Sequence, residues 1–239
     1  VPADAFGAIM LSESVTEYIS LNIFEKAYGK EKALQFLQMQ RERYLKGRTK
    51  EANNEPPLYL VKGEQQYLAY GKGTMAFNTL GHYLGKVKLH DVLKRFLNKY
   101  ANKEAPYPTS INLINHIKKE TPRELQYLIE DMFETVTFYD NSINNVVSKI
   151  NGDGMHTITA NISILKYRND DKTNEMPLND FVEIGIYNSN NELISIEKIR
   201  VDNKENELTF TLKEKPSKII LDPNYLTIDK TIDDNIFKL

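Results

Sequence analysis

The segment Thr157-Ile158-Thr159-Ala160-Asn161-Ile162-Ser163-Ile164 alternates polar and apolar side chains without interruption. A period of two puts the four apolar residues on one face of a chain segment, which predicts a half-buried β-strand. The same alternation recurs at 182–186, at Ile194 and Ile196, and at 208–212, and turn clusters rich in Asn, Asp and Gly separate these segments. Several short strands at this spacing predict a small Ig-like β-sandwich.

Before Phe138 the apolar residues recur every three or four positions, which is typical of amphipathic helices. Leu11, Val15 and Ile19 begin the first of these stripes, and Gly29 is expected to end that helix. We expect further helices at 31–46, at 63–84, at 89–100 and from Thr109 onward.

Helix-end signals refine these boundaries. Thr121-Pro122-Arg123-Glu124 predicts a capping box, with Thr121 as the N-cap, Pro122 at the first helical position and Glu124 three residues after the cap. Gly47 is expected to end the second helix. We therefore predict an α+β chain in two parts, an α-helical part at 1–138 and a β-sandwich at 139–239.

Composition excludes several classes of function. The chain has 31 basic and 33 acidic residues and a net charge of -2, so no basic excess is available for binding nucleic acid. It contains no Cys, which excludes disulfides, thiolate metal ligands and a cysteine nucleophile. The apolar runs are only a few residues long, so we expect no membrane insertion of this chain.

The histidines do not form a recognisable metal motif. No two of them stand four positions apart, and no H-E-x-x-H is present, so a self-contained zinc site is not expected. His90 is predicted to lie at a helix start, and each histidine is expected at the surface or half-buried. The four are His82, His90, His116 and His156.

Two carboxylates share a face of the first helix. Glu13 and Glu17 are one turn apart, so their side chains point the same way. This spacing favours a solvated helix face. The same pair could also contribute oxygens to a cation, provided that other ligands come from elsewhere in the protein.

A second candidate is the segment Tyr67-Leu68-Ala69-Tyr70-Gly71-Lys72-Gly73. Two glycines within a helical pattern cost roughly 1 kcal/mol each relative to alanine, so they indicate close packing or a functional approach of the backbone. One interpretation is a helix crossing eased by glycine, with Tyr70 in the core. The other is that Tyr70 presents its hydroxyl to a cleft.

Taken together, Ala8-Ile9-Met10-Leu11-Ser12-Glu13-Ser14-Val15-Thr16-Glu17-Tyr18 and Tyr70-Gly71-Lys72-Gly73 resemble the gluzincin zinc aminopeptidases of peptidase family M1, the aminopeptidase N type. In that family an H-E-x-x-H helix precedes a glutamate zinc ligand in an N-E-G or S-E-S context, and a Y-x-K-G motif follows. The resemblance implies that Glu13 is the metal ligand and that Tyr70 is the catalytic residue that stabilises the oxyanion. Glu17 matches a variable position and receives no role.

The resemblance covers nearly the whole chain. It extends to Ile184-Gly185-Ile186 and Leu221-Asp222-Pro223-Asn224, which resemble the β domain that follows the helices in many of these enzymes. The S-E-S variant resembles bacterial members joined to an ABC-type transporter permease. This resemblance implies a permease partner and a parent protein associated with a membrane.

The chain departs from the family pattern because the H-E-x-x-H motif, with two His ligands and the general-base Glu, is missing. Counting back from Glu13, the second His would fall just before Val1. We therefore expect the chain to be cut from a longer protein immediately after that helix. Alone it is expected to bind no catalytic zinc and to be inactive, and its implied partners are the missing N-terminal segment and a peptide substrate.

Three other interpretations remain. The sandwich could be an adhesive or carbohydrate-binding domain, although no exposed row of aromatic residues is evident on its strands. The parent could be a degenerate peptidase fold that serves as a non-catalytic docking or interaction module, and the sequence upstream of Val1 would distinguish the two. The acidic tail with Asp229, Asp233 and Asp234 could suggest calcium, but it lacks the Gly and the closing Glu of an EF-hand loop, so a turn is expected there.

Overall fold

The computed structural model describes residues 6–51 and 55–239 and confirms the predicted α+β class. The chain divides into two compact units, the helical Val1–Thr137 and the strand-rich Phe138–Leu239. Within the described residues, no helix combines the length and the apolar character needed to cross a bilayer.

The described residues of the helical unit form six α-helices. They are α1 (Val15–Tyr28), α2 (Lys30–Arg48), α3 (Gly73–Leu84), α4 (Lys86–Tyr100), α5 (Ser110–Glu120) and α6 (Gln126–Ile129). Three π-helical segments adjoin them: Met10–Ser14 runs into α1, Tyr67–Lys72 runs into α3, and Glu130–Glu134 extends α6. Short 3₁₀ turns cover Thr49–Glu51, Leu58–Leu60 and Arg123–Leu125.

Glycine ends the first helix as predicted. Gly29 has a φ of 86°, a conformation that favours glycine, and it separates α1 from α2. The prediction that Gly47 ends α2 is wrong. The helix continues to Arg48, and a side chain at Gly47 would collide with the ring of Tyr67. The absence of a side chain at Gly47 therefore lets Tyr67 pack against α2, and it does not end the helix.

The capping box predicted at Thr121 is also wrong. The Thr121 hydroxyl donates to the carbonyl of Ile117 at 2.8 Å, so the residue finishes α5, and Pro122 leads into a 3₁₀ turn. The capping box of the unit lies at Thr109, the predicted start of α5, where Asn112 Oδ1 accepts from the Thr109 backbone N–H at 2.8 Å. Thr121 does not cap the following turn because its hydroxyl is already bound to the Ile117 carbonyl at the end of α5.

Aromatic side chains fill the centre of the helical unit. Tyr18 of α1 stacks on Phe77 of α3 with ring centroids 6.0 Å apart, and Phe77 meets Phe133 edge-on at 5.0 Å. All three are fully buried. Their contacts fix α1 and α3 side by side, and each of these two helices continues from a π-helical segment.

The strands of the second unit form two four-stranded sheets. In the first sheet, β2 (His156–Arg168) pairs with β1 (Thr137–Ile150), β3 (Asp171–Glu175) and β6 (Glu205–Leu212). In the second, the order is β5 (Leu193–Val201), β4 (Asp180–Tyr187), β7 (Lys218–Leu221) and β8 (Ile236–Lys238).

One apolar core joins the two sheets, so they form a β-sandwich. The predicted alternation on β2 is confirmed, because Ile158, Ala160, Ile162 and Ile164 are all fully buried in it. The equivalent residues of the second sheet include Ile184, Ile186, Ile219 and Leu221.

Strand β5 contributes less to this core than the alternation predicts. Ile196 is 39% exposed. The register pairs it with Gly185, which lies between the core residues Ile184 and Ile186 and so points to the outer face. Residues directly opposite each other share a face, so Ile196 lies outside the core as well.

Candidate active site

The structure brings Glu13 and Tyr70 together. Glu13 lies on the π-helical segment Met10–Ser14 and Tyr70 on the π-helical segment Tyr67–Lys72. The Tyr70 hydroxyl donates a hydrogen bond to Glu13 Oε2 at 2.6 Å. Both residues are partly exposed, so the hydrogen-bonded pair is open to solvent. Single π turns inside helices are uncommon and occur frequently at functional sites.

A buried hydroxyl joins the two π-helical segments. Ser14, which follows Glu13, is fully buried, and its hydroxyl donates to the carbonyl of Ala69 at 2.7 Å. The bond satisfies a polar group in the interior and holds the residues that precede Tyr70 against those around Glu13. The distance between the two side chains is therefore set by buried contacts beneath them.

The two glycines after Tyr70 permit close approach of the backbone. A Cβ at Gly71 would stand 2.8 Å from the Gln40 carbonyl oxygen and 2.9 Å from the Tyr44 backbone nitrogen, and a Cβ at Gly73 would overlap the Ser14 side chain. A glycine-eased crossing is therefore present. The interpretation that also put Tyr70 in the core is wrong, because this side chain is only half-buried.

Charged groups surround the pair. The hydrogen bond to Glu13 raises the pKa of Tyr70 above its ordinary value, with smaller contributions from burial and from the Glu13 charge. The Arg43 guanidinium lies 4.4 Å from the centre of the Tyr70 ring and acts in the opposite direction. Glu17, on the same helix face as Glu13, accepts from Gln40 Nε2 at 2.6 Å.

A buried ionic cluster lies behind the Tyr70 segment. Lys72 is fully buried; its Nζ donates to the Thr135 carbonyl at 3.1 Å and lies 3.5 Å from Glu55 Oε1. Glu55 also accepts from the Tyr44 hydroxyl at 2.7 Å and from Arg48 Nε at 2.8 Å. Burial lowers the pKa of Lys72, and the Glu55 charge opposes that shift. The cluster ties the Tyr70 segment to α2 and to the end of the helical unit.

Reasoning from sequence assigned no role to Glu55, Arg43 or Lys72. A usable signal was present on α2, where Gln40, Tyr44 and Gly47 recur at intervals of four and three. This stripe is the face of α2 that contacts the Tyr70 segment. Glu55 carries no such signal, because it lies outside the regular helices and reaches the cluster only through the fold.

The histidines occupy separate positions in the helical and strand units. His90 was predicted at a helix start, but α4 begins at Lys86, and the His90 ring packs edge-on against Tyr18 with centroids 5.7 Å apart. His116 Nδ1 lies 2.9 Å from the Asn112 carbonyl oxygen. His82 is exposed on α3, and His156 begins β2.

One of the residues present has the chemistry of the zinc ligand that the resemblance implies. Glu13 is a partly exposed carboxylate, which is the chemistry of a zinc ligand. Within 6–51 and 55–239, however, no group of three or more His, Asp or Glu could hold a metal ion. Glu13 therefore fits one ligand position. The expectation about the helix before Val1 lies outside the described residues.

An apolar cavity of about 360 Å³ opens beside the π-helical segment Met10–Ser14, which carries Glu13. Leu11, Ser12 and Val15 line one wall, and the end of α4 with Phe96 and Tyr100 lines another. Its volume is within the range of small-ligand pockets.

Among the solved structures with a similar fold is that of Legionella pneumophila aminopeptidase A in complex with aspartic acid. The TM-score is 0.56 and the sequence identity is 16%, and the alignment covers 94% of this chain and 24% of that chain. The chain thus spans about a quarter of the length of that aminopeptidase. No protein-family model matches the sequence, and no curated protein matches it. The similarity shows that the fold of this chain resembles that of part of the Legionella protein.

Proposed function

We propose that this chain is part of a zinc-dependent, aminopeptidase-type hydrolase of peptidase family M1, in which Glu13 is the carboxylate zinc ligand and Tyr70 stabilises the oxyanion. The observation that carries the proposal is the 2.6 Å hydrogen bond between these two side chains on adjoining π-helical segments. The fold similarity to an aminopeptidase is independent support. The two His ligands and the general base would come from a preceding segment of the parent protein.

Each of the two residues has a distinct chemical task in this proposal. Glu13 supplies one negative oxygen ligand. When bound, zinc would polarise the scissile carbonyl and lower the pKa of a bound water. In the proposed reaction the single Tyr70 proton turns from Glu13, which then binds zinc, to the oxygen that becomes negative in the tetrahedral intermediate. The buried Lys72–Glu55 contact and the Ser14 hydroxyl hold the Tyr70 segment at the site.

Substitutions in the full parent protein test the two roles separately. Tyr70→Phe keeps zinc and lowers kcat by about 10²–10³, since removal of one oxyanion donor has an effect of that size. Glu13→Ala loses zinc and, with it, turnover. Glu17→Gln is the matched control, because Glu17 lies one turn away on the same face and is bound to Gln40. Unchanged kcat in Tyr70→Phe, or full zinc occupancy in Glu13→Ala, would contradict the assignments.

Zinc binding by this chain alone is a separate test. One carboxylate does not hold zinc at useful affinity, so titration calorimetry of the chain with zinc should give no stoichiometric binding at Glu13. If Glu13→Gln abolished a stoichiometric binding event, the chain would have a more complete site than we propose.

We further infer that the parent joins the peptidase part to an ABC-type transporter permease, on the basis of the Ser12-Glu13-Ser14 variant. A parent that fractionates with membranes supports this inference, and a parent that remains in the supernatant without a permease segment contradicts it.

A non-catalytic docking module is the second candidate. The apolar cavity at Leu11, Val15 and Phe96 favours it, because such a cavity could accept a partner side chain without any metal chemistry. A parent that binds no zinc and shows no turnover, and in which Tyr70→Phe changes nothing, would favour docking over catalysis.

A further inference from the structure

A buried carboxylate organises the end of the sandwich unit. Asp229 lies between β7 and β8 and is 2% exposed. Its Oδ2 accepts from the Asn141 backbone N–H at 3.1 Å and from Asn235 Nδ2 at 3.0 Å. Its Oδ1 accepts from the Thr231 backbone N–H at 2.9 Å. Asn141 belongs to β1 and is 88 positions away in the sequence.

Two amide oxygens beside this carboxylate have no hydrogen-bond partner. They are Oδ1 of Asn141 and Oδ1 of Asn235, both closed to water, in residues that are 0% and 3% exposed. A buried acceptor left unsatisfied costs about 1–3 kcal/mol, so two in one cluster need an explanation.

Rotating the amides does not remove the problem. Asn235 Nδ2 donates to Asp229, so exchanging its oxygen and nitrogen would place an oxygen against the carboxylate. Asn141 Nδ2 donates to Thr227 Oγ1 at 3.0 Å, and that hydroxyl gives its proton to Asp222 Oδ2 at 2.6 Å. Thr227 can therefore only accept from Asn141. Both oxygens are fixed as acceptors by their neighbours.

The cluster thus has oxygens in excess of donors. Asp229 Oδ2 accepts from the backbone N–H of Asn141 and from the side-chain amide of Asn235, so both asparagines that carry an unpaired oxygen lie against this carboxylate. Carboxylate and amide oxygens are the ligands that Ca²⁺ prefers, at about 2.4 Å. Buried water is the other common partner of such oxygens, and neither oxygen has surface that is open to a water molecule.

A route to the cluster is present. A cavity of about 60 Å³ reaches Asp229 and Asn235, which line it together with Asp222, Thr227, Tyr225 and apolar residues, and Asn141 lies behind Asp229 and Thr227. It has room for a few water molecules, so a hydrated ion could enter it and exchange water for protein oxygens.

We propose that Asp229, Asn141 and Asn235 bind a hard cation of the calcium class within the sandwich. This site differs from the acidic tail weighed from sequence, because Asp233 and Asp234 are exposed and two of the three ligands are amides. It is independent of the proposed peptidase function, since all of its residues belong to the strand-rich unit.

The test uses the full chain after treatment with a chelator. Thermal unfolding is followed while CaCl₂, MgCl₂ or NaCl is added at constant ionic strength, and calorimetry gives the stoichiometry. We expect Ca²⁺ to raise Tm saturably, with one ion per chain. No response to any of the three salts would overturn the proposal, as would a response to Mg²⁺ or Na⁺ but not to Ca²⁺.

Variants separate this cluster from the exposed acids. Asn235→Ala should weaken Ca²⁺ binding at least about tenfold, whereas Asp233→Asn should keep it. Asp234→Asn should have a smaller effect than Asn235→Ala, because the Asp234 charge acts on Asp229 without being a ligand. If Asn235→Ala does not fold, Asn141→Ser in the same assay tests the other amide ligand. Ca²⁺ binding that survives loss of both amides but disappears with Asp233 and Asp234 would contradict the assignment.

Discussion

The Tyr70 hydroxyl and the Glu13 carboxylate, 57 positions apart in the sequence, share a hydrogen bond of 2.6 Å. Each belongs to a π-helical segment, and Ser14 and Ala69 hold the two segments together below the surface. The two π segments thus carry both groups to one partly exposed place on the helical unit, and such segments are frequent at functional sites. The contacts that produce this arrangement, and the core around it, can be tested one at a time.

The hydrogen bond itself should contribute modestly to stability. Tyr70→Phe removes the donor, and we expect the free energy of unfolding in urea to fall by about 1 kcal/mol. Tyr28→Phe is the control, because Tyr28 is 66% exposed at the end of α1. Equal stability of the two variants would show that the Glu13 contact contributes nothing.

Gly71 should be intolerant of a side chain. Gly71→Ala places a methyl group against the backbone of Gln40 and Tyr44, so α2 or the Tyr70 segment must shift. We expect a loss of about 1–3 kcal/mol in urea unfolding. Gly152→Ala, at a position where an added methyl group would have no atoms within 4 Å, should cause no loss. A tolerated Gly71→Ala would mean that the crossing is looser than these distances indicate.

The buried ionic cluster should be sensitive to loss of its shared acid. Glu55→Ala leaves Lys72 and Arg48 buried without their common carboxylate, and we expect about 3–5 kcal/mol of destabilisation. Glu42→Ala removes the exposed pair with Lys46 and should change stability by less than about 1 kcal/mol. Urea unfolding of both variants checks the contrast, and similar losses would contradict it.

Tyr18 should make the fold sensitive to alkali. Burial raises its pKa to about 12. Unfolded tyrosine loses its proton near pH 10, so between pH 10 and 12 the folded state binds more protons and stability falls as pH rises. The contribution is about 3 kcal/mol over that range. In Tyr18→Phe the decline should be shallower.

The same variant makes a second prediction at neutral pH. The buried Tyr18 hydroxyl makes no well-formed hydrogen bond, although the Asn22 side chain lies near it, so Tyr18→Phe should change stability by less than about 1 kcal/mol at pH 7. Urea unfolding at pH 7, 10 and 11 measures both effects. An unchanged pH profile, or a large loss at pH 7, would contradict this account of Tyr18.

Local patterns predicted much of the secondary structure. The alternation through Ile158 to Ile164 identified a core strand, and the stripe from Leu11 with Gly29 at its end identified the first helix, because both signals depend only on residues within one element. The two wrong predictions of helix ends also relied on local patterns. Thr121 and Gly47 carry the residue types of helix ends, but neighbouring segments use them for other contacts.

The order of residues was enough to establish the α+β class, the change of period near Phe138, and the presence of a carboxylate and a phenol in motifs that resemble a peptidase site. The folded chain was needed to show that Glu13 meets Tyr70, that Glu55 joins Lys72, and that two asparagines leave unpaired oxygens beside one buried acid. Helix and strand periods arise from neighbours along the chain. Contacts across 57 or 88 positions depend on how whole elements pack, and no local pattern records that packing.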